Sequence, residues 1–210
     1  VTAYLFQRLD DILSAHDIAY LKWDMNRILT MAGHMGFAAF HCQTRALYTL
    51  IDQIRQAHPT VEIETCASGG GRVDFEILKR TDRFWTSDSN DPFRRQMIQK
   101  GVSIFFPPEI TGSHIGPANC HTSGRITDLK FRAQTAFFSH FGAEFNLFEL
   151  DTEQEKILGD YIRLHKQYRQ LLHNGRAVRL ELSDPLRNGY GAVSADRSLA
   201  LFCVVQMDLP

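Results

Sequence analysis

In this sequence the residues with reactive side chains stand directly behind strand-length runs, and those runs alternate with segments of helical period. Leu5, Leu9, Ile12 and Leu13 recur at helical spacing, a run from Ile18 to Trp23 ends at Asp24, and Leu47, Leu50, Ile51 and Ile54 mark a second helix. The alternation Val61 to Thr65 predicts a strand that runs into the loop Cys66-Ala67-Ser68-Gly69-Gly70-Gly71. Phe75 to Lys79 reads as a short helix, and Arg83 to Thr86 as a short strand before Asp88. Asp91 then suits an N-cap, Pro92 the first helical position, and Gly101 the position just past the end. Val102 to Phe106 has a buried-strand pattern, a helix is expected from about Asp128 to His140, and Phe145 to Phe148 reads as another strand. Thr152 to Glu155 has the form of a capping box before a long helix that Asn174-Gly175 ends.

About five strand–helix repeats with short connections predict a parallel α/β architecture. In a (β/α)8 barrel the active site lies on the face formed by the loops that follow the strands. A doubly wound sheet places ligands at strand ends too, so the architecture alone leaves both open. After Gly175 the pattern changes to short alternating runs such as Val178 to Leu182, with turn signals at Asp184-Pro185 and Asn188-Gly189. The expected organisation is therefore an α/β domain over 1–174 and the start of a β domain over 175–210. The chain lacks an initiator Met and stops inside the apolar stretch Leu199 to Val205, which reads as part of a longer protein.

Composition narrows the partners. Formal net charge is -1 over 210 residues, so no basic field is available for nucleic acid or an anionic membrane. No apolar run reaches the roughly 18 residues of a membrane-spanning helix. Cys42, Cys66, Cys120 and Cys203 are scattered without a C-x-x-C pair, which argues for a reducing, cytoplasmic setting and against structural zinc.

Two segments carry the chemistry. In Lys22-Trp23-Asp24, alternation sends Lys22 and Asp24 to one side of the strand, where a cation would keep a carboxylate ionised, as a glycosidic nucleophile requires. A structural ion pair at a strand end is an equal alternative. In Trp85-Thr86-Ser87-Asp88, a carboxyl partly desolvated by an aromatic neighbour would hold its proton and could give it to a leaving oxygen. A turn or cap Asp is again an equal alternative. The Gly-rich loop Ser68 to Gly71 has neither the Lys-Ser/Thr of a P-loop nor dinucleotide spacing, so close backbone approach to a neutral ligand is the better reading. His114 and His121 have no ligand-spaced partners for a metal, and Cys66 has no Cys-His pattern around it to make it a nucleophile.

Three of these segments, Lys22-Trp23-Asp24-Met25-Asn26-Arg27, Cys66 to Asp74, and Trp85-Thr86-Ser87-Asp88, resemble the signature segments of the family 36 glycoside hydrolases in the family's order. Gly112-Ser113-His114 to His121-Thr122-Ser123-Gly124-Arg125 resembles a later family segment less strictly. The resemblance covers about Tyr4 to Leu172. It implies the second half of a (β/α)8 barrel, followed by the start of a C-terminal β-sandwich. It further implies Asp24 as nucleophile and Asp88 as general acid/base, with Lys22, Cys66 and Trp85 contacting galactose. Asn26, Ser68 and Gly69 lie in the matched motifs as further substrate-binding candidates. The expected activity is a retaining α-galactosidase acting on α-galactoside oligosaccharides such as melibiose and raffinose. No metal or cofactor is called for, and the full-length protein is expected to form a homo-oligomer. The alternatives are a galactosyl transferase of the raffinose- or stachyose-synthase type, a non-catalytic sugar-binding piece, and, least favoured, a nucleotide-binding α/β domain.

Overall fold

Apolar positions at period 3.6 and period 2 become helices and strands in turn. The computed structural model describes residues 1–26 and 33–208; Arg27 of the first motif lies outside them. The chain forms two compact units, 1–85 and 86–210.

In the first unit, helix α1 (Thr2–Ala15) leads to strand β1 (Tyr20–Asp24), then a small antiparallel ribbon, β2 (Gly33–His34) and β3 (Phe37–Ala38). Met35 and Gly36 both take positive φ, the backbone of a tight hairpin turn. Helix α2 (Phe40–Ala57), strand β4 (Glu62–Cys66), helix α3 (Phe75–Leu78) and strand β5 (Arg83–Trp85) follow. Strands β1 and β4 run parallel, as do β4 and β5, with Asp24 opposite Cys66 and Glu64 opposite Arg83. One face of α2 (Leu50, Ile51, Ile54) buries itself with Leu13, Val61, Ile63 and Ile77, and Leu21 and Trp23 pack against that core. Alternation along β1 therefore turns Lys22 and Asp24 to the other, more exposed side.

That other side is polar from its first residue. Glu64 is fully buried and its carboxylate lies 3.3 Å from Arg83 Nε, while Arg83 Nη1 donates to Glu62 at 2.7 Å. The Arg83 guanidinium covers the Tyr20 ring at 4.8 Å. Burial, and then the Glu64 charge, push the Tyr20 hydroxyl well above its ordinary pKa.

The second unit continues strand after helix: α4 (Pro92–Val102), β6 (Thr111–Ile115), α5 (Leu129–Ala136), β7 (His140–Ala143) and α6 (Thr152–Asn174). Strands β6 and β7 are parallel. Then come β8 (Arg176–Leu180), β9 (Arg187–Val193) and β10 (Ala200–Gln206), an antiparallel sheet in the order β10-β9-β8.

Several local expectations are corrected. Val102 to Phe106 is not a strand; it is the last turn of α4 and the coil beyond it, with Phe106 N–H donating to the Val102 carbonyl at 3.0 Å. Ile104 and Phe105 are 60% and 77% exposed. A short apolar run carries no period to separate the two cases. The strand is β6, whose Gly112 and Ser113 hide it from a hydrophobic pattern; buried Ser113 instead accepts from Gln99 Nε2 at 3.0 Å. Phe145 to Phe148 is likewise not a strand. The chain pairs earlier, at β7, where Gly142 lets the His114 ring approach: a Cβ there would meet the ring at 2.7 Å. Gly101 lies inside α4 rather than past it, and α5 stops at Ala136 rather than His140. The capping box of α6 is Asp151 with Gln154, one residue before the expected start. Asn188-Gly189 lies within β9 rather than at a turn, with Gly189 held close to Leu180.

Candidate active site

Strand β1 ends in Asp24, and two residues beyond it Asn26 links two segments. Its side-chain amide donates to Asp24 Oδ2 at 2.9 Å, and its carbonyl oxygen accepts from the Ser68 backbone N–H at 2.8 Å. The turn that presents Ser68 is sharp: Ser68 and Gly69 have φ of 51 and 85°, and Ala67 N–H donates to the Gly69 carbonyl at 2.8 Å. Gly71 closes it, because a Cβ there would stand 2.6 Å from the Ala67 carbonyl oxygen. Arg72 braces the same turn by donating to the Cys66 carbonyl at 3.0 Å.

Cys66 faces Asp24 across the β1–β4 pair. Burial pushes its thiol up to about 11, and its hydrogen bond to Asp24 adds to the effect. At neutral pH it is a neutral donor to the carboxylate, not a nucleophile. Lys22 does not pair with Asp24 as expected; its ammonium lies 4.3 Å from the centre of the Trp85 ring. Trp85, at the end of β5, is 1% exposed. Asp24, Lys22, Cys66, Trp85, Asn26, Ser68 and Gly69 thus all lie in the first unit at neighbouring strand ends. The arrangement offers a fixed carboxylate held by two neutral donors, with the Lys22 ammonium on the same side of β1, suited to an electron-poor carbon with hydroxyls around it.

Asp88 lies in the second unit, in the loop after β5, and its side chain is exposed rather than partly desolvated. Among the described residues it takes no hydrogen bond or ion pair. Its neighbours are held firmly. Ser89 N–H donates to Ser87 Oγ at 3.2 Å, and the fully buried Asp91 caps α4 by accepting from Phe93 N–H at 2.9 Å. The sequence reading missed the partner of Asp91: Arg125 Nη1 lies 2.7 and 2.5 Å from its two oxygens. Burial works to raise the Asp91 pKa, but Ser123 and Arg125 hold it below the ordinary carboxylate value. His114 pairs with Glu144 at 3.1 Å, and among the described residues no three His, Cys, Asp or Glu converge as a metal shell. A cavity of about 910 Å³ in the second unit lies between the 102–108 coil and the β8–β9 strands, with Thr86 in its lining.

With this geometry in hand, comparison with known proteins decides the family. The profile of the melibiase family matches residues 1–175. The chain belongs to the melibiase family. An α-galactosidase of Escherichia coli is 46% identical over 99% of this chain, which covers 29% of that protein. The crystal structure of a variant of the family 36 α-galactosidase AgaA from Geobacillus stearothermophilus, in complex with 1-deoxygalactonojirimycin, superposes with a TM-score of 0.91 at 31% identity, over 97% of this chain and 29% of that one. Variants of the same enzyme holding raffinose or stachyose superpose with a TM-score of 0.91 at 30% identity over the same shares. This melibiase-family chain therefore has the α/β fold of those structures and spans under a third of the length of the relatives it matches.

Proposed function

We propose that this chain carries the two catalytic carboxylates of a retaining α-galactosidase. Asp24 attacks the anomeric carbon of a terminal α-galactosyl residue while Asp88, protonated, gives its proton to the departing oxygen. Water activated by Asp88 as base then hydrolyses the galactosyl-enzyme ester, and configuration is retained. The observation that carries the reading is Asp24 at the end of β1, held by Asn26 and Cys66 beside the Lys22–Trp85 pair. What supports the substrate class is that relatives 46% and 32% identical are α-galactosidases and that AgaA variants hold raffinose and stachyose. Lys22, Cys66, Trp85, Asn26, Ser68 and Gly69 would bind the sugar.

In the same reading residues 1–174 belong to the second half of a (β/α)8 barrel and 175–210 begin a β-sandwich. Support comes from the change at Gly175 from strand–helix repeats to an antiparallel sheet. The full-length protein would be a cytoplasmic homo-oligomer. The isolated 210-residue chain would have little turnover, because a closed barrel of about 250 residues is needed to place substrate.

The test is NMR detection of the first-formed sugar when the full-length protein cleaves an aryl α-galactoside. α-Galactose supports double displacement, and β-galactose overturns it. Adding sucrose as acceptor separates a hydrolase from a galactosyl transferase by the product formed.

A further inference from the structure

Asp88 has an exposed carboxyl with no side-chain partner among the described residues, so its place is set by its backbone. The backbone is gripped from one direction. Ser89 Oγ meets Thr122 Oγ1 at 3.4 Å. The buried Asn90 side chain lies against Gly116, where a Cβ would come within 2.6 Å of the Asn90 Cβ. Asp91, fully buried, binds Arg125 with both oxygens. Capping α4 needs only its backbone donors, so the Arg125 pair goes beyond what a helix N-terminus requires. The Arg125 guanidinium in turn lies over the Phe93 ring, with its carbon 4.6 Å from the ring centre, and a lysine would not reproduce its fork on Asp91. The gripping segment has its own framework: Cys120 N–H donates to the Arg125 carbonyl at 3.0 Å and Gly124 N–H to the Cys120 carbonyl at 2.7 Å.

We propose that the segment 116–125, through Arg125 and Thr122, positions Asp88 for proton transfer. The proposal rests on the reading of Asp88 as the acid/base. Proton donation requires the carboxyl within about 2.6–3.2 Å of the leaving oxygen, and a displacement of about 1 Å costs on the order of 10²-fold in rate. Neither Arg125 nor Thr122 is assigned to touch substrate; both act through the 87–91 backbone.

The experiment compares kcat/KM of the full-length enzyme on melibiose, whose leaving group needs a proton, and on 4-nitrophenyl α-galactoside, whose leaving group needs little. Arg125→Lys should lose roughly tenfold or more on melibiose relative to the aryl substrate, and Thr122→Val less, in the same direction. With Asp88 replaced by Ala, adding Arg125→Lys should leave the ratio unchanged. If Asp88→Ala is selective for the poor leaving group while both variants lower the two substrates equally or not at all, positioning is overturned. If Asp88→Ala itself shows no selectivity, the acid/base assignment falls, and the proposal with it. Should Arg125→Lys not fold, Thr122→Val decides, because it leaves the buried ion pair intact.

Discussion

The Lys22 ammonium lies 4.3 Å from the centre of the Trp85 ring and joins β1 to β5. A charge that sequence adjacency would give to Asp24 is instead shared with an aromatic face. Replacing Lys22 by Met should cost about 0.5–2 kcal/mol through the lost cation–π contact, and Trp85→Ala about 3–5 kcal/mol, since that ring is buried. Urea midpoints of the full-length protein measure both. In the proposed reading Lys22→Met also raises KM for α-galactosides, and an unchanged KM would remove Lys22 from the sugar site.

The two carboxylates should separate under substitution. Asp24→Ala is expected to abolish turnover on every α-galactoside. Asp88→Ala should lose about 10²–10⁴-fold on natural substrates, and azide should restore part of its rate by replacing the base-assisted water. Azide rescue of Asp24→Ala with retained product would exchange the two roles.

Cys66 should be chemically silent. With its pKa pushed up to about 11 by burial and then by Asp24, roughly one molecule in a thousand is a thiolate at pH 8. Exposed Cys42 is the contrasting site. Iodoacetamide at pH 8 followed by peptide mapping should label Cys42 and leave Cys66 unmodified; fast labelling of Cys66 would mean that the Asp24 neighbourhood is open.

His165 makes the second unit sensitive to acid. Its ring stacks on Phe141 with centres 5.0 Å apart, and burial pushes its pKa from 6.5 down to about 4. Above pH 6.5 the folded and unfolded forms are both neutral there and the stability is fully present. Between pH 6.5 and 4 the unfolded chain takes up the proton first, so stability falls with pH, by about 3 kcal/mol once pH is below 4. His165→Phe should flatten this part of the profile of urea midpoint against pH. An unchanged slope would assign the acid sensitivity to other groups.

Much of the framework was legible because β1 and β4 carry alternation and end in Asp24 and Cys66, and the short run of β5 ends in Trp85. The helix N-terminus at Asp91 was legible from local capping chemistry. What stayed hidden depends on partners far away in the chain. Lys22 finds a ring 63 positions on, Asp91 finds Arg125 34 positions on, and the small residues of β6 become a strand only because Gln99 and the His140 strand meet them. Local pattern encodes period and caps; it holds no information on which distant side chain closes a contact. Asn26, singled out only through its motif, is the clearest case, since its role as a link between Asp24 and Ser68 exists only once β1 and β4 are paired.

The Glu64–Arg83 pair acts on misfolding more than on net stability. The two residues stand directly opposite in the β4–β5 register, and Glu64 has no exposure to water. A buried ion pair adds little over an apolar pair, but a buried carboxylate deprived of its cation costs on the order of 3–5 kcal/mol. A slip of β5 by one residue would turn Arg83 to the opposite face and leave Glu64 without its cation. The pair is thus a proofreading device for strand assembly: it penalises the neighbouring wrong alignment and so keeps Trp85, two residues beyond Arg83, on the side where Lys22 waits.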